Sequence, residues 1–409
     1  MTVGIDIRIE KIREIDLKDF GEIHIWPGDI NGDGVPELLI PQTSDSPVRK
    51  ASAGGYPHEK TVHCITAMDL QGNVLWQRGQ PIGPGDHKHH GPGAFLVHDL
   101  NVDGKAEIVY ATQENNLVML RLLRGGDGEL LAERETGASY NVMPANLRGL
   151  SAKRDFVIGT GLSLVFAYDE NLQPIWEWAF HYGGGHEHAA CDVEGKGVDD
   201  LFIGVSRLDA RGRRIWWRPD LDDALEGMSR CPHIDHVVVR RLFDGRDDYQ
   251  VLWFGGRDIV CLEAVTGELI WRHRGKHLQE GTIGRFVPGS AQQQMVVWEK
   301  EENTNLALDA HGRCLWKKDL GRTRALRGAG PGGCDLVMVT RPLPWNAPFI
   351  SDLNGSRLAE FPLSADGEGP GDRGHGWCFR ALDIDGDGQD EVLVHNRHTL
   401  HMFKILTGA

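Results

Sequence analysis

Asp383-Ile384-Asp385-Gly386-Asp387-Gly388-Gln389-Asp390-Glu391, followed by Val392-Leu393-Val394, is one of three copies of a single nine-residue design. The others are Asp29-Ile30-Asn31-Gly32-Asp33-Gly34-Val35-Pro36-Glu37 ahead of Leu38-Leu39-Ile40, and Asp99-Leu100-Asn101-Val102-Asp103-Gly104-Lys105-Ala106-Glu107 ahead of Ile108-Val109-Tyr110. Each copy also follows an apolar run, so each reads as strand, tight acidic turn, strand. Asp and Asn fold back onto their own backbone in such a turn, and Gly takes the left-handed bend. A fourth copy, Asp192-Val193-Glu194-Gly195-Lys196-Gly197-Val198-Asp199-Asp200, keeps the shape. Asn146–Gly149, Phe243–Gly245, Pro288–Gly289 and Pro331–Gly332 keep only the turn, again ahead of short apolar strands.

A second signature alternates with the first: an apolar residue, Asp, a Gly turn and a Trp. It runs Met68…Gly72…Trp76, Tyr168…Trp176, Leu208…Gly212…Trp216, Leu262…Gly267…Trp271 and Leu308…Gly312…Trp316, with weaker copies at Arg124–Glu133 and Ser351–Phe361. The Gly marks a hairpin, and the Trp is placed to pack on a neighbouring unit. Each unit then has four short strands, and none can bury its faces alone. Units recur roughly every 45–55 residues, with one gap of about 70, which is the period of a closed radial repeat.

The expected fold is therefore all-β: an eight-bladed β-propeller, with seven blades as the fallback, forming one domain over 1–409. The N-terminal segments Ile5–Ile9 and Ile12–Leu17 are expected to supply the outer hairpin that the last unit lacks. The longest insertion, 41–63, carries Arg49, Lys50, Tyr56 and His58, and is expected on the face opposite the turns.

The bulk numbers bound function. Net charge is −15, with much of the acid in the turns, which argues against a nucleic-acid surface. No apolar run reaches membrane-spanning length. The first ten residues read as an amphipathic strand rather than a secretory signal. The seven Cys are odd in number and scattered, so reduced thiols and a cytoplasmic location are expected.

The acidic turns resemble the calcium loops of FG-GAP/VCBS-type propellers. The resemblance implies Ca2+ at Asp29, Asn31, Asp33 and Glu37, at Asp99, Asn101, Asp103 and Glu107, and at Asp383, Asp385, Asp387 and Glu391. Alternating oxygen ligands and a closing carboxylate suit a hard cation. The role would be structural. The Gly…Trp hairpins look like the tryptophan-docking repeats of quinoprotein propellers, although no adjacent Cys pair supports a quinone enzyme. Eight blades with acidic turns resemble the propellers of polysaccharide lyases, with family 11 rhamnogalacturonan lyases the nearest. That likeness is architectural and carries no catalytic motif.

The turns mark one face, so chemistry is expected on the other, where segments enter the first strand of each unit. Those segments are His87-Lys88-His89-His90, His186-Glu187-His188, Cys231-Pro232-His233-Ile234-Asp235-His236, His277–Gly281 and Gly374–Trp377. They hold nine of the nineteen His residues, far more than solvated loops need. Four residues ahead of the expected turn starts come Ile25, Phe95, Tyr140, His188, His236, Glu280, Thr323 and Phe379. A fixed offset predicts one facing, so Tyr140, His188, His236 and Glu280 should sit side by side in four consecutive units. A water-bonded channel lining is the plain alternative for any one of them.

Two chemistries fit such a cluster. In β-elimination from a uronate, His188, His236 and Tyr140 would act as base and acid, and His90, Arg285, Glu280, His375 and His186 would hold the substrate, with Trp377 stacking on a sugar face. Alternatively, His188, His236 and Glu280, with His186 or His90, would ligate Mn2+ or Zn2+, as in manganese-dependent oligogalacturonate lyases. A metal-dependent glycan hydrolase would draw on Glu280, Glu187 and Asp235. A non-catalytic carbohydrate-binding scaffold would use Trp377, Tyr140 and Tyr182 as platforms. The partner expected in either lyase reading is a uronate-containing oligosaccharide or polysaccharide, with rhamnose-linked chains as one form.

Overall fold

The computed structural model describes residues 7–22, 24–45, 60–83, 93–115, 117–160, 164–179, 185–221, 234–255, 257–342, 347–363 and 377–407. They form eight four-stranded antiparallel sheets in a ring. Blades 1 to 7 span 26–79, 95–135, 141–179, 189–217, 236–274, 278–318 and 321–360, and the last blade spans 378–407 plus the N-terminal strand. Among the described residues, no helix is long and apolar enough to cross a membrane.

Burial explains why these segments are strands. The second strand of each blade lies between two neighbours and is apolar on both faces: Asp155–Gly159, Gln250–Phe254 and Glu391–His395 are buried throughout. The outermost strands alternate between half-buried and exposed, as in Leu130–Glu135, because only one side meets protein. Apolar clusters therefore sit between blades. One joins Ile15, Leu17, Leu393 and Met402 of the last blade to Ile25, Leu38 and Met68 of the first.

Closure uses the chain ends, in a simpler form than the sequence suggests. Ile7–Asp16 is one long strand pairing with Thr399–Thr407, with a bulge between Lys11 and Arg13. The expected outer hairpin is thus a single strand, because the C-terminal segment already supplies three. In the 41–63 insertion, Pro41–Asp45 continues the second strand of blade 1 and pairs with Lys60–Ile65. The segment 46–59, with Arg49, Lys50, Tyr56 and His58, lies outside the described residues.

The Gly…Trp signature is the joint between blades. Each Trp Nε1 donates to a carbonyl in the next blade: Trp76 to Gly125 at 2.7 Å, Trp176 to Ala210 at 3.0 Å, Trp216 to Ala264 at 3.1 Å, Trp271 to Ala310 at 2.9 Å and Trp316 to Leu353 at 2.7 Å. Four of these rings lie flat against the next hairpin's glycine. A Cβ on Gly312 would stand 2.6 Å from the Trp271 ring, and Gly312 also has φ +73. Glycine is required there for backbone and packing at once.

Candidate active site

Seven of the eight first turns share one bond. The N–H of the second turn residue donates to a side-chain oxygen near the start of strand two: Ile30 to Glu37, Leu100 to Glu107, Leu147 to Asp155, Leu242 to Gln250, Phe286 to Gln294, Gly328 to Asp335 and Ile384 to Glu391, all at 2.8–3.0 Å. These bonds place the turn starts of blades 3, 5 and 6 at Asn146, Arg241 and Arg285, later than their spacing predicts. The turn residues there are Gln-closed or Asn-led and lack the acidic signature, so sequence alone misplaces them.

The corrected register rearranges the mouth of the channel. Tyr140, His186 and Asp235 share one row, six residues ahead of their turns. Asn141, Glu187, His236, Glu280 and Arg322 share the next. The four expected neighbours therefore split: His236 and Glu280 stay adjacent in one row, close enough for His236 to help hold the Glu280 carboxyl low, while Tyr140 lies one position ahead of that row and His188 one behind it. Neighbours within a row touch instead.

In the first row, the Tyr140 hydroxyl and His186 Nδ1 share a hydrogen bond, with the rings 5.4 Å apart. His186 Nε2 stands 3.3 Å from Asp235 Oδ1, and His277 Nε2 stands 3.4 Å from Asp235 Oδ2. The buried Asp235 carboxylate faces two imidazoles, and one of them carries its influence to a phenol (a carboxylate–imidazole–phenol relay). His186, expected as a substrate contact, is the central member.

Asn141 supports the relay from below. Its Nδ2 donates to the His186 carbonyl at 2.9 Å and lies 3.0 Å from His188 Nε2. The carbonyl fixes the amide orientation, so His188 Nε2 accepts. Burial pulls the His188 imidazole down to about 4, nearby His186 adds to this, and the Glu187 backbone opposes it. His188 is thus a neutral ring in fixed orientation at neutral pH. Gly159 makes room: a Cβ there would stand 2.5 Å from Asn141 Oδ1.

The second row is charged. His236 Nε2 lies 3.1 Å from Glu187 Oε2. Glu280 accepts from Arg324 at 3.3 Å and faces Arg322 at 3.5 Å. Burial alone would raise the Glu280 carboxyl, but Arg324 and Arg322 outweigh it and hold it low. Arg322 also covers the Trp298 ring at 4.8 Å. Arg380 donates from Nε to the Ile25 carbonyl at 3.0 Å. Burial lowers its pKa, and the Arg324 charge adds to that while Glu187 opposes it, so Arg380 lies in electrostatic reach of both. Arg322, Arg324 and Arg380 form a basic wall that sequence reasoning missed. The signal was present in Arg322-Thr323-Arg324, where strand alternation puts both arginines on the face opposite buried Thr323.

Other expected site residues fall elsewhere. Arg285 follows the last residue of its strand and belongs to the turn face, where its N–H donates to Asp335 at 2.8 Å. Its expected place at the mouth is thereby corrected: the strand that starts at the mouth ends at Gly284 and carries Arg285 to the opposite face. Trp377 is buried, edge-on to His401 at 5.3 Å, and so presents no free face to a sugar. His90, His375 and Tyr182 lie outside the described residues. His188, His236 and Glu280 do not converge; among the described residues, the one His, Cys, Asp or Glu group with converging ligand atoms is Asp383, Asp385 and Glu391. Glu280 faces Arg322 and Arg324.

The four acidic turns split by what neutralises them. In the turn at Asp383, Lys404 Nζ lies 2.6 Å from Asp385, 3.0 Å from Asp387 and 3.5 Å from Glu391. In the turn at Asp192, buried Arg207 bonds Glu194 and Asp200. Among the described residues, the turns at Asp29 and Asp99 have no such cation. There Asn31 Nδ2 reaches Glu37 at 2.6 Å and Asn101 Nδ2 reaches Glu107 at 2.8 Å. Burial raises the Glu37 carboxyl, and Asp33 and Asp29 repel it further. Rotating either Asn amide would turn an oxygen toward the carboxylates, so these two donor sets fit a hard cation.

Comparison with known proteins agrees with this architecture. The family model described as outer membrane protein assembly factor BamB matches residues 204–341. The rhamnogalacturonan endolyase YesW of Bacillus subtilis (strain 168) is 25% identical over 319 residues, covering 64% of this chain and 49% of the relative. The rhamnogalacturonan exolyase YesX of the same organism is 25% identical over 321 residues, covering 64% and 50%. The chain thus spans about half the length of the curated relatives it matches. The crystal structure of exotype rhamnogalacturonan lyase YesX superposes with a TM-score of 0.66 at 20% identity, over 93% of this chain and 71% of that one. In sequence the chain is similar to rhamnogalacturonan lyases, and in fold it is, like them, an eight-bladed β-propeller.

Proposed function

We propose that this chain is a polysaccharide lyase that cleaves a uronate-containing glycan of the rhamnogalacturonan type by β-elimination. The observation that carries this reading is the Tyr140–His186–Asp235 relay set beside the Arg322, Arg324 and Arg380 wall at one channel mouth. The similarity to rhamnogalacturonan lyases supports it.

β-Elimination needs three things, and the mouth offers each. A uronate carboxylate must be neutralised so that the C5 proton becomes acidic; Arg324 and Arg380 supply fixed positive charge. A base must take that proton. Tyr140 does so, its own proton passing to His186 Nδ1, and Asp235 stabilises the imidazolium. As the C5–H electrons form the C4–C5 double bond, the C4–O4 bond breaks and His236 protonates the departing oxygen. His188 and Asn141 hold His186 in place and touch no reacting atom. Calcium at the turns of Asp29 and Asp99 would only brace the opposite face.

The test is turnover. Rhamnogalacturonan incubated with the protein should yield a 4,5-unsaturated uronate, read by ultraviolet absorbance, and Tyr140→Phe should abolish it. A protein that binds this glycan without producing the chromophore is a carbohydrate-binding propeller.

A further inference from the structure

The turn face carries a second concentration of arginine, separate from the mouth. A cavity of about 510 Å³ opens there across blades 5 to 8, and Arg240, Arg285 and Arg327 line it. Among the described residues, none of the three guanidinium groups makes a hydrogen bond or ion pair. The acids in the lining are already committed. Asp335 accepts from the backbone N–H of Arg285 at 2.8 Å and of Gly328 at 3.0 Å. Asp387 accepts from Gln389 N–H at 2.8 Å and pairs with Lys404 at 3.0 Å. Burial holds the Arg240 pKa below the usual arginine range, and the Arg327 charge adds to this against the opposing pull of Asp335.

A chain of net charge −15 thus turns three guanidinium groups, none of them hydrogen-bonded or ion-paired among the described residues, onto one concave space whose lining carboxylates are Asp335 and Asp387. Like charges converging without a partner are relieved by an anion, and planar forks match a carboxylate best. Gly388 borders the space with nothing within 4 Å of where its Cβ would stand, so a ligand can approach the backbone there. We propose that this cavity is a second acidic-sugar site, in which Arg240, Arg285 and Arg327 hold the carboxylate of a uronate residue on the face opposite the reaction. That the anion is a uronate rests on the function proposed above; the anion site itself rests on the cavity. Such a site would grip a different stretch of an acidic polymer or one of its products.

The test is titration calorimetry of the full chain at low salt with digalacturonate, in wild type, in Arg285→Gln/Arg327→Gln and in Tyr140→Phe/Arg324→Gln. Two equivalents should bind to wild type. The turn-face pair should lose one of them, with affinity there falling at least about tenfold, while the ultraviolet assay on polymer is retained. The mouth pair should keep that equivalent. Two equivalents surviving in the turn-face pair would overturn the proposal, as would a single wild-type equivalent lost only in the mouth pair. Inorganic phosphate serves as the second probe. If phosphate binds through Arg285 and Arg327 and digalacturonate does not, the cavity takes free oxyanions and the acidic-sugar assignment fails. Absence of chromophore with wild type would sink the lyase reading alone, because the titration scores the cavity independently.

Discussion

The Tyr140 hydroxyl and His186 Nδ1 share a hydrogen bond across the joint between blades 3 and 4, and the far nitrogen of His186 faces Asp235 of blade 5 at 3.3 Å. Three consecutive blades therefore each contribute one member of a relay. If the three act as a unit, their losses do not add. Tyr140→Phe and His186→Ala should each lower kcat by about 10²–10⁴-fold with KM little changed, and the double variant should be no worse than the more severe single one. Asp235→Asn should cost less and shift the pH profile. Steady-state kinetics on the four proteins checks this, and additive losses would show independent residues.

Lys404 sits where a divalent cation would sit, among Asp385, Asp387 and Glu391. Calcium should raise the wild-type Tm through the turns at Asp29 and Asp99, and a chelator should reverse the gain. Lys404→Met should weaken the calcium-free protein and add about one calcium equivalent, since a third oxygen set is then open. Equilibrium dialysis with differential scanning calorimetry reads both. Unchanged stoichiometry in the variant would show that Lys404 does not compete with metal.

The joint made by Trp271 and Gly312 is testable without any substrate. Trp271→Phe removes the bond to Ala310 and should destabilise by about 1–2 kcal/mol. Gly312→Ala adds a Cβ that would stand 2.6 Å from the same ring at a left-handed φ, and should destabilise by about 1–3 kcal/mol. Because both act on one contact, the double variant should fall short of the sum. Denaturant midpoints measure it.

Acid stability follows from two imidazoles, buried His395 and half-buried His188. Burial pulls His395 down to about 3, with the Arg380 charge adding to it and backbone bonds opposing, and His188 lies at about 4. Both folded values are below the ordinary histidine value, so the unfolded chain takes the protons first. Their contribution is full above about pH 6.5 and falls as pH drops toward about 4 for His188 and about 3 for His395. Between pH 7 and 5, each such group can remove at most about 2 kcal/mol. Stability measured across this range should drop with acidification, and His395→Gln should flatten the slope. An unchanged slope would exclude His395 as a source.

Much of the fold was legible because Asp, Gly and Trp mark turns and joints by type. Asp29, Asp99, Asp192 and Asp383 numbered half of the blades outright, and the Trp positions gave the joints. The mouth was harder. Tyr140, His186, His188 and His236 stood out as residue types, but their partners depend on register. Register depends on turns such as that at Asn146, whose bond to strand two no motif announces. Arg324 and Arg380 were hidden for a related reason: each lies one residue past a position counted as channel-facing, and one residue of slip in a strand reverses the facing. Arg285 was misplaced for a different reason: it lies at the far end of the strand that begins beside Glu280.

The most direct measurement of the central claim is the ultraviolet absorbance of rhamnogalacturonan incubated with wild type and with Tyr140→Phe, beside a binding assay on the same two proteins. The lyase account predicts a rising unsaturated-uronate signal with wild type, its loss in Tyr140→Phe, and similar glycan binding by both. Binding by wild type with no chromophore, or full activity in Tyr140→Phe, would contradict it.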